Sequence, residues 1–180
     1  MKRILLAILF LSAISFGQNK FITKTGSLNF EASVPSFEEV AAKNSSVTVI
    51  INTENGEIAA LALVKAFRFK NALMEEHFNE NYAESDKFPK ATFKGKFLNF
   101  SKEKLRGTNN LFIEGELEFH GVKKHFNKIP VSLEYKNNSI ILLGKFSALA
   151  SDFGIKIPKI VESKVTDEVK VAFNFELLKK

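Results

Sequence analysis

The sequence predicts an all-β fold: an antiparallel up-and-down barrel of about eight strands, with one short helix near residues 71–82. Three observations carry this expectation. Apolar and polar residues alternate with period two through most of the chain beyond residue 20, the mark of strands with one dry and one wet face. Residue pairs suited to tight turns recur at hairpin spacing, and no helical segments alternate with the strands. Nineteen phenylalanines, with two tyrosines and no tryptophan, supply a thick interior whose rings carry no polar atom to satisfy. Long strands in meander order favour closure, because a barrel leaves no exposed sheet edge.

Residues 1–17, MKRILLAILFLSAISFG, read as a secretory signal peptide. Lys2 and Arg3 precede an apolar run from Ile4 to Phe10, and small residues at Ser15 and Gly17 come before Gln18. The run is too short for a membrane span, which needs about 20 apolar residues. Residues 18–180 are then expected to form a single domain, soluble in the periplasm or secreted, with no stable membrane insertion. The chain has no cysteine, so the domain has no disulfide, no thiol nucleophile and no cysteine-linked lipid anchor.

The first strand carries Leu28, Phe30, Ala32 and Val34 in alternation with Asn29, Glu31 and Ser33. Ser36 to Lys43 is expected to form a turn or two of helix. Val47, Val49 and Ile51 belong to the next strand, and Asn55-Gly56 marks a tight turn. Glu57 to Lys70 is then read as one returning strand with Phe67 and Phe69 on one face.

Asn71 to Tyr82 breaks the period. Asn71 is placed to cap a helix, Glu75 and Glu76 sit near its positive end, and Met74, Phe78 and Tyr82 recur at helical spacing. So short a helix is marginal alone, so its apolar stripe is expected to dock on the strands while its acidic residues face solvent. Pro89 holds Phe88 extended and starts a strand at Lys90.

Alternation is cleaner from there. Phe93 and Phe97 oppose Lys94 and Lys96; Leu111, Ile113, Gly115, Leu117 and Phe119 oppose Glu114, Glu116 and Glu118. His120-Gly121 and Asn137-Asn138 supply turns that flank a strand with Ile129, Val131, Leu133 and Tyr135. Ile140, Leu142, Gly144, Phe146 and Ala148 follow, then a Gly154 turn, and Val169, Val171, Phe173, Phe175 and Leu177 close the set. Residues expected to point inward include Phe93, Phe97, Leu117, Phe119, Leu133, Phe146, Phe173 and Phe175.

Little in the chain points to catalysis. His77 and Glu80 lie at i, i+3, and His120 and His125 flank a turn, but no further ligands arrive at metal-site spacing. There is no Gly-x-Ser-x-Gly elbow and no Gly-rich phosphate loop. No catalytic residue, metal or cofactor is assigned. The net charge of +6 has no basic helix or RNP-type motif to go with it, so nucleic acid is not an expected partner.

Four segments, in this order, resemble the YceI-like family of exported, polyisoprenoid-binding, lipocalin-like barrels. They are HFNENYAESDKFPKATFKG (77–95), GELEFHGVKKHFNKIPV (115–131), SDFGI (151–155) and VTDEVKVAFNFEL (165–177). The resemblance spans nearly all of 18–180, although His77 and Asn79 stand where the family more often has Phe and Asp. It implies a barrel whose interior holds an isoprenoid or similar amphiphile, as carrier or store. The eight inward residues named above then become candidate ligand contacts. The alternative expectation is a cell-envelope stress or interaction protein with a filled, ligand-free barrel. A homodimer is compatible with either.

Overall fold

The structure is a computed structural model that describes residues 19–34, 39–105 and 107–180. The expected signal peptide, 1–17, lies outside the described residues. Among the described residues nine strands form one antiparallel sheet: β1 (Lys20–Ser33), β2 (Ala41–Asn52), β3 (Glu57–Leu63), β4 (Arg68–Phe69), β5 (Lys90–Phe97), β6 (Gly107–Phe119), β7 (Val122–Lys136), β8 (Ser139–Leu149) and β9 (Val165–Lys179). Strand β4 is a two-residue pairing on β2. The other eight run as a strict meander, and β1 pairs with both β2 and β9, so the sheet closes on itself. The expected eight-stranded barrel is therefore the observed one.

Hairpin chemistry agrees with the turns read from sequence. His120 and Gly121 take φ of 51° and 73°, and Asn137 and Asn138 take 51° and 62°, the left-handed pairs that match the twist of two-residue hairpins.

The barrel has two unlike ends. One carries Asn19, Lys180 and the 53–56, 98–105 and 137–138 connections, and it is tightly packed. Ile51, Leu133, Ile140, Leu142 and Leu177 are completely buried there, with Phe97 and Phe175 beside them. Phenylalanine rings reach this packing by lying over glycines. Gly95 and Gly115 face each other across β5 and β6, and Phe93 covers both: a Cβ on Gly115 would come within 2.6 Å of its ring. Phe173 covers Gly144 in the same way and stacks on Phe175, centroids 4.9 Å apart.

The other end carries the long connections, and there the structure departs from expectation in three places. Ser36 to Lys43 is not helical where it is described: Ala41 to Lys43 open β2, because Ala42 is buried and pairs between Phe30 and Phe69. Residues 36–38 lie outside the described residues. Glu57 to Lys70 is not one strand. It breaks at a 3₁₀ turn over Val64–Ala66, where buried Val64 donates its N–H to the Pro89 carbonyl and Asn44 Nδ2 donates to the Leu63 carbonyl. The helix α1 spans Ala72–His77 and widens into a π turn at Phe78–Tyr82. Asn71 caps it by accepting from the Leu73 N–H, but Glu75 does not face solvent as expected. Its carboxylate accepts from Arg68 Nη1 at 2.8 Å and from the Phe69 N–H at 3.1 Å, tying the helix to β4.

A side-chain clasp holds these connections together. His120, 14% exposed, places Nδ1 2.9 Å from the Phe153 carbonyl and Nε2 2.8 Å from Glu84 Oε2. The Phe153 carbonyl can only accept, so Nδ1 donates to it, and Nε2 and the Glu84 carboxylate share the second bond. The Phe88 ring lies edge-on to the imidazole at 4.7 Å, over Gly121, where a Cβ would strike it at 2.5 Å. Asp167 accepts from both the N–H and the hydroxyl of Ser151, at 2.8 and 2.6 Å, and Lys124 pairs with Asp152. One set of polar contacts thus joins the 83–89 segment, the β6–β7 hairpin and the β8–β9 connection.

Two outcomes follow. Gly144→Val forces a side chain into the Phe173 ring and is expected to cost about 1–3 kcal/mol, read as a lower urea midpoint; adding Phe173→Leu recovers part of the loss. His120→Ala leaves Glu84 and the Phe153 carbonyl without their partner and costs about 1–3 kcal/mol. Its signature is local, with faster amide exchange in 83–89 and 150–155 while the packed end stays protected.

Candidate apolar cavity

Where the long connections cross the barrel the interior is hollow. A cavity of about 390 Å³ lies there, and its lining is overwhelmingly apolar. Such a volume is within the range of about 300–1,000 Å³ for small-molecule sites. Its walls come from alternate strand positions: Leu28, Phe30 and Ala32 of β1, Leu117 and Phe119 of β6, Phe146 and Ala148 of β8, Val169 and Val171 of β9. The period-two pattern puts them there, since every second side chain of a barrel strand points inward.

Its roof is made by the two longest connections. Phe67, Phe69, Met74, Phe78 and Tyr82 come from the chain between β3 and β5; Phe153, Ile155, Ile157 and Val161 come from the chain between β8 and β9. The break at Val64–Ala66 and the Glu75 contacts aim the first group. Phe30 is the hub of an aromatic cluster, with centroids 5.3 Å from Phe67, 5.7 Å from Phe69 and 5.3 Å from Phe78. Phe69 and Phe78 close the ring at 5.2 Å.

Few polar side chains line the space: His77, Tyr82, Lys164 and Thr166, with no carboxylate among them. His77, the histidine of the acidic segment, is thus a lining residue of the roof. His120 is engaged in the clasp, and exposed His125 sits on β7 opposite Glu116. Among the described residues no group of three or more such side chains is placed to hold a metal ion. The clear titration shift among the described residues is on the outer wall, where a hydrogen bond from Lys123 to Glu116, and then the charges of Glu116 and Glu118, hold the lysine above its usual range.

A second concavity, of about 730 Å³, is larger but lies open on the outer wall among Glu31, Lys43, Arg68, Lys145 and Lys170. Volume alone does not make it the better candidate, because water fills an open, charged groove, whereas the inner space is more enclosed and far more apolar.

The eight inward candidates divide between the two ends. Leu117, Phe119 and Phe146 line the cavity. Phe97, Leu133 and Phe175 are buried in the packed core, and Phe93 and Phe173 lie partly buried against it. Strand alternation finds the inward face but not the height along the barrel axis, so it cannot separate these groups. The lining residues missing from that set are chiefly the roof aromatics: Phe67 and Phe69 alternate in sequence, and Met74, Phe78 and Tyr82 form the helix stripe, but what the stripe docks against is a tertiary fact.

Several solved structures share the fold. A polyisoprenoid binding domain from Saccharophagus degradans, implicated in plant cell wall breakdown, superposes with a TM-score of 0.76 at 13% identity, over 91% of this chain and 99% of that one. Burkholderia cenocepacia BcnA gives 0.68 at 16% identity, over 84% and 95%. The Campylobacter jejuni YceI protein gives 0.57 at 14% identity, over 73% and 78%. No curated relative matches the chain. At such identities the likeness shows the fold alone. The sequence itself matches the YceI-like domain over residues 12–177, which takes in every strand from β1 to all but the end of β9 and both connections of the roof. A closed eight-stranded meander, hollow at its long-connection end and carrying that sequence signature, belongs to the YceI-like domain family.

Proposed function

We propose that the protein is an exported lipid-binding protein that holds an isoprenoid or similar amphiphile in the hollow end of the barrel, as a carrier or store. The observation that carries the reading is the cavity itself: about 390 Å³, lined mostly by apolar side chains, and roofed largely by aromatic side chains of the same chain. The polyisoprenoid binding domain of Saccharophagus degradans, which shares the fold, supports the ligand class.

The energetics are adequate. Burying hydrocarbon contributes about 0.8 kcal/mol per CH₂, so ten such groups supply about 8 kcal/mol before the costs of association, the scale of micromolar binding. No polar contact is needed for affinity. Leu117, Phe119 and Phe146 would touch the chain, as would Phe30 and Phe78. Phe93, Phe97, Leu133, Phe173 and Phe175 would act from a distance, as the packed floor that fixes the cavity's depth. The reading assigns no catalytic residue and no cofactor. Export rests on residues 1–17.

Lipid extraction and mass spectrometry of protein purified without delipidation test it. An isoprenoid or fatty-acid-like compound is expected in near-stoichiometric amount. Ala148 lines the cavity, so Ala148→Phe is expected to fill it and lower the bound lipid at least tenfold without loss of fold. Leu133→Ala, in the packed end, is expected to cost about 2–5 kcal/mol and keep the ligand. Ligand-free protein that also takes up no polyprenyl probe would sink the proposal.

A further inference from the structure

The β8–β9 connection has two faces. Ile155, Ile157 and Val161 line the cavity, yet Ile160, one residue from Val161, is 87% exposed. The local geometry explains the contrast. Pro158 opens a β-turn closed by the Val161 N–H donating to the Pro158 carbonyl at 2.9 Å, which leaves Lys159 and Ile160 as the two residues at its tip. A second bond, from the Lys164 N–H to the Val161 carbonyl at 2.8 Å, holds the turns that follow. The isoleucine is held out by a hydrogen-bonded turn.

A single exposed apolar residue is ordinary. Here the surroundings are not. Lys156, Lys159 and Lys164 lie in the same ten residues, 155–164, against the one carboxylate of Glu162, and all four are exposed. Other large apolar side chains left in water sit at the same end of the barrel: Leu73 in the first turn of α1, 56% exposed, Leu149 at the end of β8, 43%, and Val122 in the β6–β7 hairpin, 36%. An exposed apolar tip flanked by lysines, as at Ile160, matches an interface whose surface is anionic and whose interior is hydrocarbon.

We infer that the cavity mouth is a membrane-docking surface, in which Ile160 enters the headgroup region of an anionic bilayer while Lys156 and Lys159 contact its lipid phosphates. Each lysine at such a surface strengthens binding by about fivefold, so docking is reversible. The placement is economical for exchange of an apolar molecule. The segment that touches the bilayer is the one whose opposite side walls the cavity, so a ligand would pass between the two without crossing open water. Docking itself does not depend on what the cavity holds.

The chain has no tryptophan, so Ile160→Trp introduces a single reporter. With vesicles of phosphatidylcholine and phosphatidylglycerol, its emission is expected to shift to the blue. The control is Leu178→Trp, at a side chain 60% exposed on the packed end, whose emission should not shift. In vesicle sedimentation at low salt, the Lys156→Gln, Lys159→Gln double variant is expected to bind about 25-fold more weakly, two lysines at fivefold each, and Ile160→Ser about tenfold more weakly. Raised salt should weaken the full chain toward the double variant. None of these three residues lines the cavity, so lipid content of the variants reports separately on ligand binding. The inference is overturned if the full chain stays in the supernatant with anionic vesicles, if both sedimentation variants behave like it, or if the Ile160→Trp and Leu178→Trp reporters respond alike.

Discussion

Closure of eight strands into one barrel fixes how much interior there is, and each inward position must either fill that volume or leave it empty. This constraint organises the rest of the molecule. At one end the sequence meets it by pairing large residues with missing ones: phenylalanine rings occupy the space of side chains absent at Gly95, Gly115 and Gly144. At the other end Ala32, Ala62, Ala91 and Ala148 stand on the walls, and nothing on the opposite strands reaches far enough to replace their lost volume. An apolar space of this kind is stable only if it is kept from water, and strands alone cannot do that at an open mouth. The roof is the consequence.

The roof in turn explains where the polar groups are. Connections that cross an apolar space have backbone and side-chain atoms to satisfy, and few partners within the cavity. The clasp supplies partners at its edge, with His120 bridging Glu84 and the Phe153 carbonyl and Asp167 holding Ser151. Four sequence segments contribute to it, and they are the same four on which the family resemblance rests: the one containing Glu84 and Phe88, the His120-Gly121 hairpin, Ser151-Asp152-Phe153-Gly154 and the one opening Val165-Thr166-Asp167. Each is degenerate alone because each is one corner of a contact set. The cavity lining, by contrast, is mostly apolar, and many substitutions of similar volume would serve it.

The fold was largely legible in the sequence because period-two alternation and turn chemistry are local. The hairpin at Asn137-Asn138, the strand start after Pro89 and the cap at Asn71 all appear as expected. What was not legible depends on distant partners. Val64 to Ala66 breaks a good strand pattern because Pro89 and Asn44 claim its backbone, and Glu75 leaves an acidic face because Arg68 and the Phe69 N–H are within reach. Ala41 to Lys43 has helical composition but a strand on either side. Of the eight inward residues, parity was readable in each; whether a residue met cavity or core was not, since that depends on its height along the barrel.

A hollow end that serves as a ligand site differs from an accident of packing, and from a space that collapses, in what it contains. A crystal structure of the protein purified without delipidation tests this most directly. Elongated density is expected inside the barrel, among Phe30, Phe78, Leu117 and Phe146. A cavity closed by those same side chains, or one holding only water, would contradict a binding role.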